Sequence, residues 1–70
     1  LMRLGIVGGG AWGSALAHLF AQRHEVLVYD RDPQKVELIN SGLYPADSSL
    51  RINRTVRATA DWEELLKFAE

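Results

Sequence analysis

The chain has 70 residues, 47% of them hydrophobic and 24% charged, with a formal net charge of -1 and no cysteine. This composition is typical of one small folded domain rather than of a disordered segment. The charge argues against nucleic-acid binding, the lack of an apolar run of roughly 20 residues argues against a membrane span, and the absence of cysteine excludes disulfides and thiolate metal sites. We therefore expect a cytoplasmic domain without nucleic-acid or membrane partners.

A short apolar strand leads into a glycine-rich turn. Residues 4–7 show no polar alternation, which predicts a strand from Arg3 to Val7 that is buried on both faces. The turn, Gly8-Gly9-Gly10-Ala11-Trp12-Gly13, has the form G-x-G-x-x-G, which binds dinucleotides when it joins a strand to a helix. Gly8 allows the tight turn, Gly10 lets the backbone approach a pyrophosphate, and Gly13 lets the helix pack closely on the strand.

The residues after the turn predict a helix from about Trp12 to Arg23. Its inward-facing stripe is predicted to consist of Ala15, Leu16, Leu19 and Phe20. His18 lies off this stripe and His24 follows the helix. Because neither has a second ligand four residues on, we expect both to be solvated surface side chains, with no catalytic or metal role.

The second predicted strand, Glu25 to Tyr29, ends at Asp30, 22 positions after Gly8. An acidic residue at this offset hydrogen-bonds the adenosine ribose in the Rossmann unit, although Asp30 is also a good residue to begin a turn. Asp30 would repel a 2′-phosphate, whereas Arg31 could pair with one or stack on adenine. The sequence therefore leaves the choice between NAD and NADP open.

A second helix is predicted to open at Asp32-Pro33 and to close at Ser41-Gly42. The following stretch, from Leu43 to Thr55, is predicted to be a long loop. The arginines in and after this stretch do not form a basic patch interleaved with aromatic residues, so we interpret them as solvated loop side chains. They are Arg51, Arg54 and Arg57.

The last predicted elements are a strand from Val56 to Thr59 and a helix that continues to Glu70. Asp61 and Glu64 have the spacing of a capping box, and Trp62 is predicted to anchor the core. The apolar face of this helix is predicted to be Trp62, Leu65, Leu66 and Ala69. Residues 1–70 therefore predict an α/β half Rossmann fold (βαβαβα), with a three-stranded parallel sheet in the order 3-2-1.

With these elements placed, the sequence from Ile6 to Ala17 resembles the N-terminal signature of the bacterial-type NAD(P)-dependent glycerol-3-phosphate dehydrogenases. Those proteins share the aromatic-Gly pair followed by a small residue and Ala-Leu-Ala. The resemblance continues through three further segments and covers nearly all of this chain, which matches the first part of a much longer protein. The further segments are residues 24–33, Asn40 with residues 43–45, and residues 56–61.

The resemblance implies roles for particular residues. Ala11 and Trp12 would meet the pyrophosphate and the nicotinamide side of the cofactor, Arg31 would lie near the adenosine ribose or its 2′-phosphate, and Tyr44 would approach the cofactor more weakly. The family usually has serine in place of Ala11, so a hydroxyl contact is lost while the N–H remains. The full cofactor-binding set is Gly8, Gly10, Ala11, Trp12, Gly13, Asp30 and Arg31.

The resemblance also implies hydride transfer between NAD(P)H and dihydroxyacetone phosphate, giving sn-glycerol 3-phosphate. The catalytic lysines of the family lie beyond residue 70, so we expect the 70 residues to be inactive alone. The alternative is a small module that senses NAD or another adenine nucleotide without catalysis. If the chain is the first part of a dehydrogenase, the first strand lacks the neighbour from the next half of the sheet, and this bare edge predicts self-association, by edge pairing or by exchange of an element such as the last helix.

Overall fold

The computed structural model describes residues 1–69, so the predicted continuation of the last helix to Glu70 lies outside the described residues. Over this range the chain forms five strands and three helices. In chain order these are β1 (Arg3–Val7), α1 (Ala11–Phe20), β2 (Glu25–Tyr29), α2 (Pro33–Asn40), β3 (Leu43–Tyr44), β4 (Asp47–Arg51), β5 (Arg57–Thr59) and α3 (Trp62–Ala69).

The main sheet is parallel, with the strand order β1-β2-β5. Helix α1 packs on β1 and β2, α2 packs on β5, and α3 packs across the strands. The predicted half Rossmann fold is confirmed, and β5 is the predicted third strand. Within residues 1–69 no helix combines the length and the apolar character needed to cross a membrane.

Strand β1 is not buried on both faces as predicted. Leu4 and Ile6 are half-buried against the core, whereas the Val7 side chain is 65% exposed. Gly5 faces the other way, where an added Cβ would lie 2.9 Å from Cδ1 of Leu65. Glycine at position 5 thus lets α3 lie close to a strand that forms one edge of the sheet.

The predicted inward stripe of α1 is wrong. The residues that α1 buries are Ser14 and Ala17, while Leu16 is 41% exposed and Leu19 is 59% exposed. The helix lies so close to the glycine turn that only small side chains fit beneath it. The larger apolar residues consequently face outward, and the helix also ends earlier than predicted, at Phe20.

The predicted loop from Leu43 to Thr55 contains a β-hairpin. Strands β3 and β4 pair antiparallel through Leu43 with Arg51 and Tyr44 with Asp47, with an irregular register between them. Every residue of β4 is exposed, so this strand lacks the alternating pattern that would have revealed it. Ile52 directly after it is buried, and it joins Val28, Ile39 and Val56 in the core.

The predicted helix caps are present, with one change of partner. The carboxylate of Asp32 accepts a hydrogen bond from the Gln34 N–H, and that of Asp61 accepts one from the Glu63 N–H. In a capping box Glu64 would bind the Asp61 N–H, but here it accepts a 2.6 Å bond from the Thr59 hydroxyl.

The prediction that Trp62 anchors the core is wrong. Its side chain is 44% exposed and packs edge-on against Tyr29, with 5.0 Å between ring centroids. Leu65, one turn further along α3, is the residue that the helix buries. Trp62 therefore covers the rim of the sheet rather than its centre.

Candidate functional site

The glycine turn leaves the sheet at the carboxyl end of β1. Gly8 has a φ of +101°, a conformation that favours glycine, and its N–H donates a 2.7 Å bond to the Tyr29 carbonyl on β2. A Cβ at Gly13 would overlap the carbonyl oxygen of Gly8. Both positions therefore require glycine, one for backbone conformation and the other for close packing of α1 on the turn.

Gly9, the middle glycine, ties the turn to the neighbouring strand. Its N–H donates a 2.7 Å hydrogen bond to Oδ2 of Asp30, and its carbonyl accepts a 3.1 Å bond from the buried hydroxyl of Ser14. A Cβ at Gly9 would lie 3.2 Å from both Asp30 Oδ2 and Ile39 Cδ1. Sequence reasoning assigned no role to Gly9; the signal that could have found it is the run of three consecutive glycines, where the G-x-G motif requires only two.

Asp30 is held in place from two sides at the carboxyl end of β2. Besides the bond from Gly9, its Oδ1 accepts a 2.8 Å bond from the Asp32 N–H. Burial acts to raise the pKa of Asp30, but these two backbone bonds and the charges of Lys35 and Arg31 together hold that pKa below its ordinary value. The carboxylate is thus kept ionised beside the glycine turn.

The start of α1 leaves free space at Gly10. Gly10 caps the helix without a side-chain bond, and a Cβ built on it would meet no heavy atom within 4 Å. The first N–H groups of a helix, here those of Ala11 and Trp12, have no intrahelical acceptor, and they carry the positive end of the helix dipole. The Trp12 side chain is 83% exposed. This arrangement can accept an anionic group of a ligand.

A cavity of about 290 Å³ lies between the ends of β1 and β2. It brings Gly8, Asp30 and Arg31 together, as the sequence predicts for residues of one site. Sequence reasoning missed Lys35 of α2, which also lines the cavity. No helical spacing links it to Arg31, because Arg31 precedes the N-cap of α2. The remaining lining residues are Val7 and Tyr29.

Tyr44 and the histidines lie elsewhere. Tyr44 is in the hairpin and packs against the His18 ring, with centroids 5.8 Å apart, and it does not line the cavity beside Asp30. His18 is not a solvated surface residue as predicted, because its Nδ1 accepts a 2.9 Å bond from the Asn53 N–H. His24 accepts an exposed bond from the Met2 N–H.

The three loop arginines line another cavity, of about 530 Å³, at the amino end of β5. The Arg57 guanidinium donates to the carbonyls of Arg54 and Val56 within its own loop, and all three arginines are exposed. In the described part of the chain no cluster of three or more His, Asp or Glu side chains is placed to hold a metal ion.

Comparison with known proteins shows the family to which this chain is similar. A model of the family described as "NAD-dependent glycerol-3-phosphate dehydrogenase N-terminus" matches residues 3–70. The chain is 35% identical over 71 residues to glycerol-3-phosphate dehydrogenase (NAD(P)+) of Acholeplasma laidlawii, covering 99% of this chain and 20% of that protein. It is 37% identical over 70 residues to the protein of the same name from Phytoplasma mali, with the same coverage.

A relative of the same name from Nitratidesulfovibrio vulgaris is 39% identical over 72 residues, and the chain covers 22% of that relative. The chain thus spans about a fifth of the length of the curated relatives that it matches. No solved structure matches it. The resemblance that the sequence from Ile6 to Ala17 indicated is confirmed.

Proposed function

The chain belongs to the family of NAD-dependent glycerol-3-phosphate dehydrogenase N-termini, and from that premise we propose that it forms the NAD(P)-binding half-site of such a dehydrogenase. The observation that carries the proposal is the glycine turn itself, which leaves open space at Gly10 before the first turn of α1 and binds the carboxylate of Asp30 through the Gly9 N–H. A dinucleotide has the matching chemistry, because its pyrophosphate is anionic and its ribose carries hydroxyl donors.

In this proposal different residues of the chain bind different parts of the cofactor. The N–H groups of Ala11 and Trp12 hold the pyrophosphate, the glycines leave room for it, and Gly13 keeps α1 in place. Asp30 accepts hydrogen bonds from the adenosine ribose, and Arg31 lies beside it. Both oxygens of Asp30 already bind backbone N–H groups, so the carboxylate is oriented before the cofactor arrives.

The reaction proposed for the whole protein is reversible hydride transfer between NAD(P)H and dihydroxyacetone phosphate, giving sn-glycerol 3-phosphate. The nicotinamide ring supplies the hydride, whereas a substrate site and a general acid must also be present. Residues 1–70 carry no catalytic residue in this proposal and are expected to be inactive alone. Cofactor-dependent reduction of dihydroxyacetone phosphate by these 70 residues would contradict that expectation.

Direct titration tests the cofactor site. NADH and NADPH are titrated against the wild type, Asp30→Ala and the matched control Asp47→Ala, which removes an exposed carboxylate in the hairpin. We expect the Asp30 change to weaken NADH binding about tenfold, because a charge-assisted bond to the ribose is lost, and the control to have no effect. Unchanged NADH affinity in Asp30→Ala would refute the ribose assignment.

A nucleotide-sensing module without catalysis is the second candidate, in which the same half-site would bind NAD or another adenine nucleotide on its own. Gene context separates the two. A reading frame that continues past Glu70 into a second half-sheet supports the dehydrogenase, and a stop codon at that point supports the module. The cytoplasmic location stays a prediction, which cell fractionation would test.

We also propose that the isolated chain self-associates through β1. In support, within residues 1–69 strand β1 pairs with β2 alone, and β1 includes the exposed Val7. An unpaired apolar strand is a template for pairing with a second copy. Exchange of α3 between two copies is the alternative route.

Sedimentation of charged variants tests this association. Val7→Lys places a charge on the β1 edge, and Ala60→Lys places the same charge after β5 at an exposed position. We expect the wild type and Ala60→Lys to associate at high concentration and Val7→Lys to be monomeric. A monomeric wild type would refute self-association, and association of all three would favour exchange of α3.

A further inference from the structure

Lys35 lies beside the candidate ribose carboxylate, although no motif in the sequence pointed to it. It is half-buried near the start of α2, four residues after Arg31. Both cationic side chains line the cavity that also contains Gly8 and Asp30. Both charges act on the pKa of Asp30, and that of Lys35 has the larger influence. Lys35 is therefore close enough to interact with whatever binds at this carboxylate.

The side chains around this cavity carry a net positive charge, which favours an anionic ligand. Its charged lining residues are Asp30, Arg31 and Lys35, which sum to one positive charge. Each oxygen of Asp30 is already engaged by a backbone N–H, Oδ2 by that of Gly9 and Oδ1 by that of Asp32, so its negative charge is partly offset by these two donors. Asp32 is nearby in sequence, but its Oδ1 caps α2 through the Gln34 N–H and it is not among the lining residues.

We propose that Lys35 joins Arg31 in a cationic clamp for the 2′-phosphate of NADP, and that the Lys35 charge thereby strengthens the binding of NADP relative to that of NAD. This inference rests on the proposed dinucleotide binding. A lone carboxylate at the end of β2 would select NAD, since it repels the extra phosphate. Two cations on the cavity wall offset that repulsion, and Arg31 can offer a bidentate fork while Lys35 offers a compact charge with three donors.

The clamp makes Lys35 a specificity-determining residue, because its charge affects the binding of NADP and not that of NAD. NAD has a hydroxyl where NADP has the 2′-phosphate, so Lys35 gains a strong partner only with NADP. Loss of the Lys35 charge should therefore weaken NADPH binding and leave NADH binding nearly unchanged. A purely structural role of Lys35 in α2 would change both affinities alike.

Binding titrations of Lys35→Gln test the clamp, with Lys67→Gln on the exposed side of α3 as the control for loss of one positive charge. The probes are NADPH with NADH, and 2′,5′-ADP with 5′-AMP, measured by calorimetry on the polypeptide that carries these residues. We expect Lys35→Gln to weaken NADPH and 2′,5′-ADP about tenfold and the other two ligands less than about twofold. The control should match the wild type.

The outcomes separate this inference from the proposed function. If the wild type binds NADH and NADPH, equal losses in Lys35→Gln would overturn the clamp and leave the dinucleotide site intact. Wild-type binding of NADH without NADPH would do the same. If the wild type binds neither cofactor, the proposed function and the clamp both fail. A tenfold loss confined to the 2′-phosphorylated ligands supports the clamp.

Discussion

The two edges of the parallel sheet differ in whether their outward backbone groups are hydrogen-bonded. On β5 the outward backbone groups of Ala58 are both satisfied, because Asn40 accepts a 2.8 Å bond from its N–H and donates a 3.0 Å bond to its carbonyl. On β1, the Met2 carbonyl and the Gly8 N–H bond to β2 at the two ends of the strand. Because successive residues of a strand direct their backbone groups to opposite sides, those of residues 3, 5 and 7 point away from β2. One edge is closed by the chain itself, and the other is open.

The helices packed on the sheet also differ in how far their apolar side chains are buried. On the side of β5, Ile39 of α2 and Ile52 after the hairpin are each at most 2% exposed. On the side of β1, the outward face of α1 presents Leu16, Leu19 and Phe20 to solvent. The described chain thus completes its core on one side and leaves apolar surface exposed on the other.

The largest expected effect compares truncations of two apolar side chains, one on each side. We expect Ile52→Ala to lower the free energy of unfolding by about 3 kcal/mol, because it leaves a cavity in the core. Leu19→Ala should change it by less than about 0.5 kcal/mol, since Leu19 is mainly in solvent. Urea denaturation measures both. An equal loss in the two variants would mean that the face of α1 is covered and that the contrast is wrong.

The next effect concerns the closed edge. Asn40→Ala leaves the N–H and the carbonyl of the buried Ala58 without partners, so we expect a loss of about 2 kcal/mol of unfolding free energy. Ser41→Ala at the exposed neighbouring position is the matched control and should be close to neutral. The variant should also associate more strongly in sedimentation, because it opens a second edge. Wild-type stability of Asn40→Ala would show that solvent satisfies this edge equally well.

Local signals in the sequence predicted the glycine turn, the helix caps and the strand order. Gly8, Asp32 and Gly42 act through their own backbone conformation or through neighbouring N–H groups, so their roles are visible without the fold. The side of α1 that faces the sheet depends instead on how close the helix lies to Gly8. The pairing of Asn40 with Ala58 joins residues 18 positions apart, and no periodic pattern reports such a contact.

The residues of the candidate site likewise fall into those that local sequence signals predict and those that only the fold reveals. Asp30 and the glycines were predictable because the spacing of a strand–turn–helix unit fixes their positions. Lys35 became recognisable only when α2 was placed against the cavity beside Asp30. Tyr44, expected near the cofactor from the resemblance, lies in a hairpin that sequence patterns did not reveal.

The third expected effect is a pH dependence at the end of β2, between the two edges. Because the folded-state pKa of Asp30 is below its ordinary value of 3.8, the ionised carboxylate stabilises the fold above that pH. This stabilisation is lost as the pH falls through the lowered pKa. We expect Asp30→Asn to be less stable than the wild type by about 1 to 2 kcal/mol at pH 7, and the difference to shrink below about pH 4. Denaturation curves from pH 7 to pH 2 would measure it, and a constant difference would contradict the role of the charge.

The smallest effect is local and tests how the hairpin is held on the closed side. His18→Phe keeps a ring against Tyr44 but removes the acceptor of the Asn53 N–H, a bond worth about 1 kcal/mol. We expect hydrogen exchange at the Asn53 amide to accelerate about fivefold, because the local opening energy falls by that amount. His24→Phe removes the same kind of acceptor from the Met2 N–H and should leave the Asn53 amide unchanged. Equal exchange at Asn53 in the wild type and His18→Phe would show that Tyr44 and Ile52 hold the hairpin without this bond.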